Sequence, residues 1–120
     1  MANYVPFTTI PVVTAKISDG QSVVVTVPAE GVIAGLFYLI GGWFGTAFES
    51  GLVGERVALS IAQNEYQSTQ IEGSFTVGAA LYWNAGTSRF TATVGTNRLV
   101  GRVTELIGTT GIKFILGPQV

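Results

Sequence analysis

The chain has 120 residues, of which 48% are hydrophobic and only 11% are charged, against about 25% charged residues in a typical soluble domain. This length allows one domain with a real core, but not two comfortable ones. Seven acidic and six basic residues give a net charge of −1, which excludes the polybasic surfaces that bind nucleic acid or anionic lipid. The absence of Cys and His excludes disulfide scaffolds, zinc fingers and Ser–His or Cys–His catalysis.

The residue types that remain point to β-structure. Val, Ile and Thr together supply 38 residues, and 16 Gly accompany them. Stiff β-branched side chains suit pleated strands, and Gly suits the turns between strands. The composition therefore predicts an all-β fold, a small single-domain β-barrel or β-sandwich of short strands. With so few charges, its surface must be covered by uncharged polar residues or by other protein.

The N-terminus is predicted to be an extended arm, residues 1–17, that precedes a β-domain over residues 18–120. Pro6 and Pro11 remove backbone donors that a central strand needs, and no helical period is present. Two interpretations are open, a frayed terminus or an arm that docks on a neighbouring subunit. The apolar side chains available for docking are Tyr4, Phe7 and Ile10.

The uncharged stretch Gly31–Phe48 is long enough to meet the lower length limit of a membrane helix. The pair Gly41-Gly42 divides it into two short runs, Leu36–Ile40 and Trp43–Phe48. A type I′ hairpin turn needs positive φ at both central positions, which two glycines supply. No basic residues flank the stretch to anchor it in a bilayer. We therefore predict a buried β-hairpin and no membrane partner.

The rest of the chain alternates between short runs of strand-forming residues and turn signals. Val57, Leu59 and Ile61 alternate with smaller residues, which is typical of a half-buried strand. The polar run Gln63–Gln70 fits either a loop or an exposed edge. Turns every 8–12 residues are typical of sandwiches and small barrels. The other predicted strands are Ser22–Val27, Glu55–Ala62, Ile71–Val77 (weak), Ala80–Trp83, Arg89–Val94, Leu99–Leu106 and Ile112–Leu116.

No catalytic, cofactor or metal motif is present in the sequence. Neither Lys16 nor Lys113 is followed by the Ser or Thr of a phosphate-binding loop, and no Gly-x-Gly occurs. A single Asp cannot build an Asp-x-Asp calcium loop. Six of the seven acids lie in or beside predicted turns, and only Glu105 lies well inside a predicted strand. We therefore expect no enzymatic activity, no cofactor and no metal.

The arginines suggest a nucleic-acid surface as an alternative function. Proteins that bind single strands without sequence preference combine Arg with aromatic side chains on which bases stack. Arg89, Arg98 and Arg102 lie near such residues in the sequence, namely Tyr82, Trp83 and Phe90. The chain lacks the net positive charge that drives this binding, and Glu105 lies close to the same cluster. We expect no nucleic-acid partner.

Two aromatic pairs are the best candidates for contact with another protein. Trp43 and Phe44 follow the Gly-Gly turn, where large apolar residues either fold back into the core or are presented to a partner. Tyr82 and Trp83 are adjacent in a predicted strand, so their side chains point to opposite faces and cannot both enter one core. One residue of this second pair is expected at solvent or at another chain.

Short motifs occur in a fixed order over about four-fifths of the chain. They are Pro28-Ala29-Glu30-Gly31-Val32 with Gly35, Gly42 with Gly45-Thr46-Ala47, Gly54-Glu55-Arg56-Val57, Val77-Gly78-Ala79-Ala80-Leu81-Tyr82-Trp83-Asn84, Asn97-Arg98-Leu99-Val100-Gly101 and the terminal strand Gly111–Leu116. In this order they resemble the capsid cement or head decoration proteins of tailed phages, a family sometimes mislabelled as recombinases. The sequence departs from the family's pattern at Ala79 and Asn84, where Asp is common, and at the polar run Asn64–Thr69.

The resemblance implies a non-enzymatic virion protein on the outer surface of the phage head, made in the host bacterial cytoplasm. It implies binding to the major capsid protein at subunit junctions, commonly as a homotrimer, and stabilisation of the shell. The candidate capsid or subunit contacts are Tyr4, Phe7, Ile10, Trp43, Phe44, Tyr82 and Trp83. Two alternatives stay open, another virion structural protein of the shell or tail, and a β-barrel module that binds a ligand or carbohydrate through Trp43, Tyr82 or Trp83.

Overall fold

A computed structural model describes residues 17–119, which form nine strands in two antiparallel sheets and contain no helix. The strands are β1 (Ser22–Thr26), β2 (Phe37–Ile40), β3 (Trp43–Ala47), β4 (Arg56–Ser60), β5 (Glu65–Ser68), β6 (Ala80–Asn84), β7 (Arg89–Thr91), β8 (Arg98–Ile107) and β9 (Gly111–Leu116). The prediction of a small all-β domain is confirmed. The arm residues 1–16, with Tyr4, Phe7 and Ile10, lie outside the described range, as does Val120.

The first sheet has the strand order β1-β4-β3-β2. Its hairpin β2–β3 pairs Leu39 with Phe44 and Ile40 with Trp43. Gly41 has φ 58° and Gly42 has φ 89°, so both turn positions have the positive φ that a type I′ turn requires. The predicted Gly-Gly hairpin is therefore confirmed.

One face of the first sheet carries its own apolar cluster. Val25 of β1 lies opposite Val57 of β4, and Val23 lies opposite Leu59. Side chains alternate between faces along a strand, so this register collects the odd-numbered residues of both strands on one side. The buried members of the cluster are Val25, Val27, Val32, Ala47, Val57, Leu59 and Ile61.

The second sheet has the order β5-β9-β8-β6-β7. Its longest strand, β8, pairs with both β6 and β9, and each pairing contains a register shift. The run Gln63–Gln70, predicted as a loop or an exposed edge, contains the outermost strand β5. Its alternating exposure follows from the alternation of side chains between the two faces of the sheet. As an edge strand, β5 pairs only with β9.

The main core lies where the β2–β3 hairpin meets the second sheet. Phe37 and Phe44 are the only buried residues that the first sheet contributes to this core, among the described residues. The Phe37 ring centroid lies 5.3 Å from that of Phe90 and 5.3 Å from that of Phe114. Edge-to-face and tilted aromatic contacts at these distances add to the burial of apolar area. The two sheets are thus joined mainly by aromatic packing.

Two predicted strands are shorter or absent in the structure. The stretch Ile71–Val77 makes only an isolated parallel bridge between Ile71 and Phe90, because Gly73, at φ 76°, turns the chain away. The strand predicted over Arg89–Val94 ends at Thr91. There the Thr91 hydroxyl accepts a hydrogen bond from the Thr93 backbone N–H, a side-chain turn that competes with strand pairing.

Candidate interaction surfaces

The aromatic pair Trp43–Phe44 is divided between surface and core. Trp43 begins β3 and is 41% exposed, whereas Phe44 is 1% exposed. The Phe44 ring packs against Trp83, with centroids 4.9 Å apart. Alternation along the strand produces this division, since consecutive side chains point to opposite faces of a sheet. Only Trp43 of this pair is available to a partner.

The pair Tyr82–Trp83 is divided in the same way. Trp83 is 2% exposed and packs against Phe90 at 4.9 Å between ring centroids. Tyr82 lies half-buried on the outer face of the second sheet. The prediction that one residue of the pair faces outward is confirmed, and that residue is Tyr82.

Tyr82 lies in an open groove on the outer face of the second sheet, which we call the Tyr82 groove. Its volume is about 880 Å³, and its lining includes the exposed side chains of Leu99 and Ile115. Arg98 and Arg102 also line it, whereas none of the carboxylate side chains between residues 17 and 119 does. The groove therefore combines an apolar floor with positive charge.

Trp43 lines a second depression of about 530 Å³, the Trp43 recess, together with Val23, Ile61 and Pro118. Gly20 and Gln21 also line it. The described chain begins at residue 17, so this recess lies beside the point where the N-terminal segment joins the domain. Trp43 and the segment leading from the arm therefore belong to one region of the surface.

A third apolar surface was not predicted from the sequence. Four large side chains in the loops at one end of the first sheet are between 60% and 75% exposed: Ile33, Phe48, Leu52 and Val53. We call this surface the loop end. The two loops are tied together by a bridge between Val32 and Gly51 and by a 2.9 Å hydrogen bond from the Ala34 N–H to the Ser50 hydroxyl. The sequence signal was Leu52-Val53 placed between two glycines, a tight turn with two large apolar residues at its tip.

Two glutamine side chains hold the β2–β3 hairpin onto the second half of the molecule. The Gln119 amide accepts a hydrogen bond from the Phe44 N–H and donates one to the Phe44 carbonyl, both at 3.0 Å. The Gln70 amide does the same with Phe37, at 2.8 and 3.1 Å. Each amide thus substitutes for a missing strand neighbour and satisfies a part-buried backbone pair.

Arg98 strengthens the first of these contacts. Its guanidinium donates to the Gly42 carbonyl in the hairpin turn and, at 3.2 Å, to the Gln119 amide oxygen. Arg102 donates to the Gly78 carbonyl at 2.6 Å. Both arginines are therefore oriented by neutral oxygens, and neither positive charge is neutralised by a carboxylate among residues 17–119.

The carboxylates of the described residues do not form an acid–base pair. Glu105 lies 3.3 Å from Lys113 in an exposed ion pair, which contributes at most about 1 kcal/mol. Hydrogen bonds from Thr87 and Asn84 hold the pKa of Glu72 below its ordinary value, and the nearby charge of Arg89 acts in the same direction. These bonds, at 2.7 and 3.0 Å, attach the loop after Gln70 to the β6–β7 turn. The role of Glu72 is structural.

Two of the three aromatic residues considered for nucleic-acid stacking are enclosed in the core. Trp83 and Phe90 are buried in the core, so their faces are not available to bases. Within residues 17–119, no group of three acidic or other metal-ligating side chains converges on a point. None of the elements described in that range is a helix of a length and hydropathy that would cross a bilayer.

The phage cement protein family matches the chain over residues 17–114. The chain belongs to the phage cement protein family. The match begins at the first described residue and ends in β9, so it spans both sheets and the whole loop end. It also includes the Tyr82 groove and the Trp43 recess except for their lining residues after position 114. No curated protein and no solved structure matches the chain.

Proposed function

We propose that this cement protein binds the outer surface of an assembled phage head at the junctions between capsid subunits, as a trimer, and stabilises the shell. Membership of the cement family over residues 17–114 is the observation that carries the proposal. Its partner is the major capsid protein of a tailed phage. The role is structural, without catalysis or cofactor, and the protein is made in the host cytoplasm.

The surface chemistry supports this role. A cement protein needs many modest contacts across subunit junctions, and exposed apolar side chains with few competing charges provide them. Repetition of such contacts over the shell increases the total binding through avidity, without any single strong site. Trp43, in its recess beside the start of the domain, is the aromatic side chain we assign to the capsid contact. The arm residues Tyr4, Phe7 and Ile10 continue the same contact.

Mixing the purified full chain with undecorated mature heads, followed by imaging of the heads, tests the proposal. We expect regular external density at a fixed number of copies per head, and heads that resist heating or dilution better than undecorated ones. Failure to bind any form of the head would overturn the proposal. Density on the inside of the shell or on the tail would favour a different virion role.

Two changes test the assigned contact residues. Trp43→Ser should reduce occupancy on heads several-fold, while Val77→Ser, at a similarly exposed apolar position elsewhere, serves as the matched control. Deletion of residues 1–13 should leave the fold intact and weaken attachment. Unchanged occupancy on heads after the deletion would show that the arm is not part of the capsid contact. Equal losses of occupancy for Trp43→Ser and Val77→Ser would show the same for Trp43.

A further inference from the structure

The loop end carries negative charge that is not neutralised by neighbouring side chains. Glu30 and Glu49 lie in the same loops as Ile33 and Phe48, and neither carboxylate makes a hydrogen bond or ion pair with any residue of the described chain. Glu55 accepts a hydrogen bond from the Leu52 N–H at 2.6 Å, which fixes the turn that carries Leu52 and Val53 outward. The loop end is therefore an apolar projection with an acidic border.

The Tyr82 groove has the opposite character. Its apolar lining of Tyr82, Leu99 and Ile115 is bordered by Arg98 and Arg102, and no carboxylate of residues 17–119 forms an ion pair with either arginine. A groove of about 880 Å³ is large enough to receive several side chains from a projecting loop. The apolar lining of the Tyr82 groove is therefore complementary to the apolar side chains of the loop end, and its arginines are complementary to the glutamates there.

The division of charge follows the division into sheets. Residues 1–61, which contain the first sheet, carry four acids and two bases. Residues 62–119, which contain the second sheet, carry three acids and four bases. A chain polarised in this way attracts a second copy head to tail, because complementary potentials steer and orient two partners.

From this complementarity we infer that the loop end of one copy docks in the Tyr82 groove of a second copy. The inference rests on the proposed function, since a decoration protein is brought together with many copies of itself, and it names the surfaces that the copies use. The contact is heterologous, with a different patch on each side. Such contacts close into a ring when the rotation per copy permits closure, and otherwise form an open filament.

Sedimentation equilibrium of the full chain over a wide concentration range tests this contact. The wild-type chain should form an oligomer of discrete mass. Leu52→Glu places a charge at the tip of the loop end and should raise the dissociation constant at least tenfold. Arg102→Glu should act similarly through the groove. A monomer at every concentration would overturn the inference.

Two controls separate the contact from general effects. Val77→Glu introduces the same charge at another exposed apolar position and should associate like the wild type. Arg56→Glu changes the net charge as much as Arg102→Glu does, but it lies in the acidic half and should not weaken association. If either control loses association as strongly as its partner variant, the assignment of these surfaces is wrong. Association should also weaken at high salt, as the screening length shortens from about 10 Å at 0.1 M to about 3 Å at 1 M.

Head binding by the same variants keeps this inference distinct from the proposed function. A wild-type chain that decorates heads but remains monomeric in solution, with Leu52→Glu and Arg102→Glu binding heads normally, would overturn the head-to-tail contact and the trimeric state, but not the binding to heads. A chain that forms the expected oligomer but binds no head would overturn the proposed function alone.

Discussion

The two sheets use similar residues for different purposes. The second sheet has five strands, and the long β8 pairs with β6 through its first half and with β9 from Gly101 onward. Its inner face supplies eight of the ten buried residues of the main core. The first sheet contributes only Phe37 and Phe44 to that core and buries its own smaller cluster on its other face. The first sheet also has the loop end, with four large apolar side chains exposed.

The two sheets of this domain thus have different roles, one in internal packing and the other in exposed surface. The second sheet acts as the scaffold, because most of its large apolar side chains are buried in the main core. The first sheet is attached to that scaffold by two phenylalanines and two glutamine amides, which leaves the loops at its end free for contacts with other protein. The few charges of the chain are not spread evenly, because residues 1–61 carry four of the seven acids but only two of the six bases.

Removal of an aromatic side chain from the junction of the sheets should have the largest effect on stability. Phe44→Ala empties a site packed by Trp83 and Phe90 and should lower the free energy of unfolding by about 3–5 kcal/mol. Phe48→Ala, at an exposed position only four residues further on, should change it by no more than about 0.5 kcal/mol. Urea denaturation of the two variants measures the contrast. Equal losses would mean that the loop end is part of the core.

Addition of a methyl group where two strands approach closely should have the next largest effect. In Gly101→Ala the new Cβ collides with the Ile115 carbonyl oxygen of the neighbouring strand, so backbone must move. We expect a loss of about 2–3 kcal/mol, at the upper end for overpacked sites. Gly117→Ala is the matched control, because its Cβ would lie 3.5 Å from the nearest heavy atom, an ordinary contact. Thermal unfolding of both variants measures this difference in stability, and equal losses would contradict the close approach at Gly101.

Loss of a glutamine amide should loosen the first sheet from the second. Gln119→Ala removes two hydrogen bonds to Phe44, and a typical hydrogen bond contributes about 0.5–1.5 kcal/mol, so a loss of about 1–3 kcal/mol is expected. Gln67→Ala, on the exposed face of β5, should have almost no effect. Hydrogen exchange of the Phe44 amide gives a local measurement. If protection of that amide is unchanged in Gln119→Ala, the amide contact does not hold the hairpin.

The smallest expected effect is the pH dependence from Glu72. Its folded-state pKa is lowered, so its contribution to stability is fully present above the pKa of the unfolded chain and is lost as pH falls through the folded pKa. Melting temperature should therefore fall on acidification below the range where an ordinary Glu titrates, and Glu72→Gln should reduce that slope. An unchanged slope in Glu72→Gln would contradict the role of these hydrogen bonds.

The sequence predicted the β-hairpin and the strands well where local chemistry controls them. Gly41-Gly42 fixed the turn because two adjacent residues with positive φ are costly for other residue types. The alternation of Val57, Leu59 and Ile61 fixed which face of β4 is buried. Prediction failed at Ile71–Val77, where apolar residues suggested a strand but backbone pairing was available at only one residue.

The candidate interaction surfaces could also be predicted from the sequence only in part. Strand alternation predicted that Tyr82 and Trp83 face opposite ways, but not which of them meets the core, because that choice depends on how the second sheet packs against the hairpin. The loop end and the Tyr82 groove are each built from residues far apart in the chain, so neither appears as a local pattern. The glutamine amides at positions 70 and 119 are also invisible in sequence, since their partners are 33 and 75 residues away.

The all-β class, the low charge, the absence of Cys and His and the resemblance to cement proteins could be established from the sequence. These follow from residue types and short-range order, which do not depend on distant contacts. Packing between the sheets was needed to show which aromatics are buried, that Arg98 and Arg102 have no carboxylate partner within residues 17–119, and that the apolar side chains of the loop end lie beside acidic ones. These depend on sheet register and on packing between sheets, where residues far apart in the chain become neighbours.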